Sequence, residues 1–387
     1  MNRLIVSSAP HIRTKKDTPG VMLDVIIALL PTLIAGVVIF GLRALLVVAT
    51  CVLASVVSEF LFNIIVKKNQ TIFDLSAIVT GLILGLNLRA DAPIWQCIVG
   101  AVFAIIVVKC LFGGLGQNFA NPAVTARVFL LICFSNTLAG GARPNISSNP
   151  SLVAGATPLS VIAEGGSLPE LTDMLFGLRG GAIGETCIIA LLLGFAYLVA
   201  RKVIHFETPL IMIATVFLLS LVVGGDVELA LYQVLAGGLV FGAVFMATDY
   251  VTTPITRTGK MIFAVGCGLI TFLIRQYGNY PEGVSFAILF MNILSPYIEG
   301  WTKPKSLGQR KDAKVSTKSS RISVKDILDL VVCEVCSISV ALIIDCLVFF
   351  NQFGSVATPI VFIVVLVVLS AAAIFGRKAY LCKGGNK

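Results

Sequence analysis

Charge is what this sequence has least of. Only 13% of its 387 residues are Asp, Glu, Lys or Arg, while 57% are hydrophobic. Soluble domains carry about 25% charged residues, and no soluble core hides this much apolar surface. A globular water-soluble fold is therefore excluded, and lipid is the expected solvent. Histidine is nearly absent too. The two present, His11 and His205, lie far apart, which argues against a histidine-based metal site. The ten cysteines (Cys51, Cys97, Cys110, Cys133, Cys187, Cys267, Cys333, Cys336, Cys346 and Cys382) sit mostly inside apolar runs, so no secreted disulfide framework is expected. The first 20 residues hold Arg3, Arg13, Lys15 and Lys16 but no short apolar core, so no cleavable signal peptide is expected. A net charge of +9 does not point to nucleic acid here, because the basic residues fall between apolar runs, as membrane topology requires.

What is present is a series of apolar runs. A helix needs about 20 residues to cross about 30 Å of hydrocarbon. Runs of that kind predict spans near 21–41, 44–66, 72–88, 93–110, 123–139, 184–200, 208–224, 229–248, 261–275, 283–298, 327–349 and 356–376, with 110–122 re-entrant or broken. The reading is an all-α polytopic membrane protein. Placing the N-terminus inside and counting spans leaves only Arg43, Arg89, Arg143, Arg179 and Arg275 outside, five of 29 basic residues. One span more or fewer would destroy that partition, so it supports the count and puts both termini on the cytoplasmic side.

The chain then divides into a cytoplasmic segment (1–20), a first membrane repeat (21–139), a long extracytoplasmic loop (140–183), a second membrane repeat (184–298), a basic cytoplasmic linker (299–326) and a C-terminal extension with two spans (327–387). A loop of the length of 140–183 is uncommon unless it has work to do. The linker reads as an anchor near anionic lipid, with an acidic partner as the other reading. The first ten spans divide five plus five. An odd number per half inserts the second half upside down. A faint echo agrees: Phe112-Gly113, Pro122, Val124, Thr125 and Ala126 resemble Tyr277-Gly278, Pro281, Val284, Ser285 and Ala287.

Four groups of residues carry chemistry. Ala154-Gly155-Ala156-Thr157-Pro158-Leu159 offers an accessible, locally stiffened hydroxyl in the outer loop; by residue type alone it is an ordinary loop threonine. Gly113 to Pro122 holds three glycines, two asparagines, a proline and no charge. At membrane depth such backbone survives only where protein or water satisfies it, so the stretch is either a tight turn or a loop offering amides to a cofactor or ion. Asp24 and Glu59 lie inside the first two spans, Asp249 ends the eighth, and Glu282 follows Pro281 at the outer end of the tenth. Ionisable groups in a bilayer are costly and default to functional hypotheses. Against an ion route stand structural pairing for Asp24 and Glu59, and interfacial capping for Asp249 and Glu282. Cys333-Glu334-Val335-Cys336 has no second pair and lies in an apolar helix, so it reads as two thiols on one face. Glu334 and Asp345 there are expected to face another subunit.

Six ordered stretches resemble a known family. They are Ser8 to Arg13, Met22 to Pro31, Gly113 to Pro122, Gly155 to Leu159, Met246 to Pro254 and Tyr280 to Ser285. The chain resembles the RnfD and, more distantly, the NqrB membrane subunits of ion-pumping redox complexes. The resemblance implies a ten-helix core of two inverted five-helix repeats, like that of urea transporters. It implies a covalent FMN joined through its phosphate to Thr157, with Gly155 and Ala156 completing the attachment motif. Relatives often have Ser or Thr where this chain has Ala154. It also implies a second, non-covalent flavin such as riboflavin, for which the sequence assigns no residues. The implied activity is electron transfer between ferredoxin and NAD coupled to Na⁺ or H⁺ transport. The implied partners are the other subunits of the Rnf complex (A, B, C, E and G), and a flavin transferase that works outside the cytoplasm, on the side where charge counting puts the 140–183 loop. No catalytic side chain and no metal ligand is expected in this chain. The rival class is a secondary transporter or channel of the same fold without redox chemistry.

Overall fold

The structure, a computed structural model, describes residues 17–138, 140–142, 144, 159, 170–278 and 282–303. All of them lie in the unit Met1–Lys303. Gly155, Ala156 and Thr157, the Cys333–Cys336 pair, the spans expected at 327–349 and 356–376, and the linker beyond Lys303 fall outside the described residues.

Every regular element among the described residues is a helix; the single bridge, Ala142 to Gly181, is isolated. The long apolar runs give α1 (Thr18–Phe40) and α2 (Leu42–Val66), joined at Gly41, whose φ of 82° suits glycine. Then follow α3 (Ser76–Leu86), α4 (Ile94–Val102, continued as a π-helix over Phe103–Cys110), α5 (Pro122–Cys133) and the single turn α6 (Ser135–Leu138). The second half holds α7 (Leu171–Phe176), α8 (Ile188–Ala200), α9 (Glu207–Gly224), α10 (Val227–Leu235), α11 (Leu239–Phe241, continued as a π-helix over Gly242–Met246), α12 (Arg257–Tyr277) and α13 (Val284–Thr302). Large apolar side chains such as Ile34, Val38, Leu53 and Ile65 point outward, the arrangement expected where lipid replaces water.

Among the described residues, five helices (α1, α2, α9, α12 and α13) are long and apolar enough to cross a bilayer, and α10 with α11 makes a sixth, bent by 61°. The spans expected at 72–88, 123–139 and 184–200 are shorter as helices than their apolar runs. The eleven residues of α3 reach about 16 Å, half a bilayer. Beyond α3 the backbone is not helical, and its carbonyls are met from elsewhere. Leu88 O accepts from the Ile183 N–H (3.0 Å) and Leu86 O from the Gly184 N–H (2.7 Å). Non-helical backbone at membrane depth needs such partners. At the α10–α11 break Gly237 takes a φ of 65°, and Arg275 donates to Gln233 O and, at 3.2 Å, to Ala236 O.

Close packing rests on small residues. A Cβ on Gly81 would lie 2.7 Å from the Cα of Val52, and one on Gly85 would lie 2.9 Å from the Cα of Val48. This Gly-x-x-x-Gly face lets α3 touch α2 backbone to backbone, the means by which helices associate when lipid removes the hydrophobic drive.

Polar bonds join segments that charge counting places on one side of the membrane. Asp24 on α1 meets Arg201 after α8 (3.2 Å), and Glu207 on α9 pairs with Arg257 on α12. At the other end, Arg43 donates to Asp91 O (3.3 Å) and Gln96 bonds Thr137 (2.9 Å).

Candidate functional site

Two polar regions stand apart from the lipid-facing shell. The first is a partly open cavity between the start of α1, the glycine-rich loop and the end of the α11 π-helix. Its walls are mostly apolar, with polar points that include Ser76, Thr80, Lys109, Asn118, Asn121 and Asp249. Both π-helical stretches border it, one through Lys109 and the other through Val244 and Phe245. π-Helical turns are frequent at functional sites.

The loop that closes this cavity is shaped by its glycines. Gly113, Gly114 and Gly116 have φ of 124°, 103° and 87°, which side chains other than glycine rarely adopt. Asn121 then caps α5, its Oδ1 accepting from the N–H groups of Ala123 (3.0 Å) and Val124 (3.4 Å). Its Nδ2 donates to Met246 O at 3.5 Å, tying the first half of the chain to the second. Asn118 Oδ1 is buried without a protein partner.

The four acids singled out from sequence do not form one cluster. Asp24 accepts from the Tyr197 hydroxyl (3.0 Å) and pairs with Arg201. Glu59, 1% exposed, is held by Lys109 Nζ at 2.9 Å to both oxygens and by the Thr71 hydroxyl at 2.6 Å. Lys109 also donates to Ser76 Oγ (2.6 Å). Glu282 pairs with Arg127 at 2.7 Å. Of the four, only Asp249 lines the cavity. The residue is half-buried, and its carboxyl accepts from the Val251 N–H (3.4 Å) and the Thr252 hydroxyl (3.1 Å).

The second region is not visible in the sequence. Arg127, Arg179 and Glu185 are 2%, 1% and 6% exposed, and Arg275 and Glu282 share their electrostatic environment. Charge counting treats Arg179 and Arg275 as ordinary outer-side basic residues; the structure buries Arg179 and half-buries Arg275. Beside this cluster, Leu159 of the Gly-Ala-Thr-Pro-Leu motif is 4% exposed and packs with Met174, Tyr232 and Ala236. Among the described residues no group of His, Cys, Asp and Glu is arranged to hold a metal ion.

Comparison with known proteins extends over most of the chain. A family model described as the NQR2, RnfD, RnfE family matches residues 5–308. The D subunit of the Na(+)-translocating ferredoxin:NAD(+) oxidoreductase complex of Acetobacterium woodii is 46% identical over 315 residues, 80% of this chain and 97% of that protein. The proton-translocating counterpart of Clostridium ljungdahlii is 39% identical over 324 residues, 80% of this chain and 98% of that protein. The D subunit of the ion-translocating oxidoreductase complex of Stutzerimonas stutzeri is 35% identical over 350 residues, 81% and 99% of the two chains.

Proposed function

Because the chain belongs to the NQR2, RnfD, RnfE family, we propose that it is the D subunit of an ion-translocating ferredoxin:NAD oxidoreductase, a multi-pass membrane protein that carries flavin. The observation that carries the reading is the order of the six motifs inside a family match running from residue 5 to 308. Its first ten spans form two inverted five-helix repeats, with both termini cytoplasmic. The A, B, C, E and G components complete the complex, and a flavin transferase loads Thr157.

The proposed covalent FMN is esterified through its phosphate to Thr157, with Gly155 and Ala156 in the attachment motif. The anchored Leu159 supports this, since a buried side chain two residues on restrains where the threonine can travel. Bound there, the flavin supplies one- and two-electron chemistry, while the protein supplies position and field. A second, non-covalent flavin such as riboflavin is proposed for the cavity. Its residues fit: apolar walls suit an aromatic ring system, and the unpartnered Asn118 Oδ1 offers an acceptor for a ring N–H. The ion route is proposed to use Asp24, Glu59, Asp249 and Glu282, with Asp249 at its cavity end. Coupling to Na⁺ or H⁺ is open to direct measurement, since the named relatives include one of each kind.

The complex purified from a host with flavin transferase, run on a denaturing gel, tests this. The protein is expected to fluoresce as a flavoprotein, Thr157→Ala to lose that signal while still inserting, and the peptide around Thr157 to carry the added mass. An unmodified peptide from fully active complex would overturn the covalent assignment. A colourless but inserted protein that moves solute without electron flow would favour the transporter reading.

A further inference from the structure

The cluster at Arg127, Arg179, Arg275, Glu185 and Glu282 holds three cations and two anions; Arg127, Arg179 and Glu185 are buried, and Arg275 and Glu282 are half-buried. Arg127 and Glu282 close on each other at 2.7 Å. That leaves one carboxylate, Glu185, in the field of two guanidinium groups. Neither Arg179 nor Arg275 closes an ion pair with any acid among the described residues. Arg179 donates to Glu185 O (2.8 Å) and touches Met174 Sδ (3.6 Å); Arg275 donates to Gln233 O and Ala236 O (3.2 Å). All these partners are neutral. The Nε of each arginine is buried with no partner. Among the described residues one positive charge is therefore uncompensated, and a charge of that kind in a partly desolvated setting is costly.

Two residues that hold the arginines also pack with Leu159. Met174, touched by Arg179, and Ala236, bonded by Arg275, form the pocket for the Leu159 side chain. A Cβ on Gly237 would meet Leu159 Cδ1 at 2.6 Å and Arg275 Nη2 at 3.1 Å, so the leucine and the guanidinium lie against the same glycine. Thr157 is two residues from Leu159, and two residues of chain reach about 7 Å at most. A phosphodiester carries one negative charge, which matches the uncompensated cation.

We propose that Arg275 and Arg179 form an anion site on the second polar region that holds the phosphate of the flavin tethered at Thr157. The proposal deepens the flavin assignment above and rests on it for the identity of the ligand. Planar guanidinium groups with free N–H directions are well suited to phosphate oxygens, and Lys at the same place would keep the charge but lose the fork. The arginines are positioning residues: they fix the tether rather than touch the redox ring.

The test uses the whole complex made in a host without flavin transferase, so that Thr157 stays unmodified. With saturating riboflavin present to occupy any phosphate-independent flavin site, radiolabelled FMN is titrated and its binding is read by equilibrium dialysis. FMN is expected to bind, and Arg275→Gln and Arg179→Gln are each expected to weaken it about tenfold to a hundredfold, with Arg275→Lys between them and the parent. Each variant is checked for the parent's assembly and thermal unfolding midpoint. If Arg275→Gln disrupts folding at the α10–α11 break, Arg179→Gln and Arg275→Lys carry the test. No FMN binding under these conditions, or equal FMN binding in correctly assembled variants, would overturn the anion site. The mass of the Thr157 peptide from a transferase-containing host is read separately. A modified peptide together with arginine-independent FMN binding sinks this inference alone. An unmodified peptide with arginine-dependent binding sinks the tether and leaves the anion site standing.

Discussion

Lys109 shows what a single side chain costs and contributes inside this fold. Its ammonium is 2% exposed and spends its three donors on both Glu59 oxygens and Ser76 Oγ. Ser76 in turn donates to Asp74 Oδ1 (2.5 Å), and Asn63 and Thr71 complete the Glu59 side. Moving such a pair out of water is expensive, and the gain from pairing roughly offsets the cost. Removing one partner leaves a bare charge behind. Lys109→Met should therefore destabilise the protein by about 3–5 kcal/mol, and adding Glu59→Gln should recover most of that loss. Thermal unfolding of the detergent-solubilised protein reads both. An additive double variant would show that the two groups do not act as a pair. If Glu59 also lies on the ion route, the double variant should be stable yet impaired in transport, which separates its two roles.

At the scale of elements, the α2–α3 contact is the clearest case of packing set by absent side chains. Gly81 and Gly85 let the two helices approach until backbone meets backbone. Gly81→Val must drive α3 away from α2, because its Cβ would sit 2.7 Å from the Cα of Val52, which cannot rotate aside. Overpacking of this kind costs about 1–3 kcal/mol. Since Ser76, Val79, Thr80 and Ile83 of the same helix line the cavity, the shift should also lower binding of any ligand there. A lowered unfolding midpoint together with weaker riboflavin binding checks it, and an unchanged midpoint would refute the contact. Helices such as α1 and α2 were legible in the sequence because length and apolarity are local properties. The breaks were not. Gly237 opens the chain between α10 and α11, but the groups that satisfy the freed carbonyls come from Arg275, about 40 residues later. The early end of α3 likewise depends on Ile183 and Gly184, nearly 100 residues on. The same distance in sequence hid the arginine cluster. Counting places Arg179 and Arg275 on a side of the membrane but has no means of seeing them brought into one cluster with Glu185. The four acids were legible as costly groups; their partners Arg201, Lys109 and Arg127 were visible only as members of a charge count.

For the whole molecule, the proposed activity makes a demand that can be stated in energies. Moving one charge against about 150 mV costs about 3.5 kcal/mol. Two electrons falling through about 75 mV release the same amount. A complex that couples these steps one to one sits at balance there, so the direction of flow follows whichever force is larger. Such reversal requires a tight link between redox state and ion occupancy. The cavity, bordered by both π-helical stretches and tied across the two halves by Asn121 and Met246, is where this chain could supply that link. In sealed vesicles with the complex oriented one way, ferredoxin-driven NAD reduction should slow as a membrane potential is imposed and reverse when it passes the balance point. Doubling the charge moved per pair of electrons should halve the balancing potential, so the reversal point also counts the ions. Replacing Na⁺ with choline at fixed pH then identifies the ion, because a tightly coupled sodium-dependent complex loses turnover, whereas a proton-coupled one keeps both turnover and its potential dependence. Electron transfer whose rate and direction ignore the imposed potential, in vesicles shown to be sealed, would mean that this chain belongs to an uncoupled oxidoreductase.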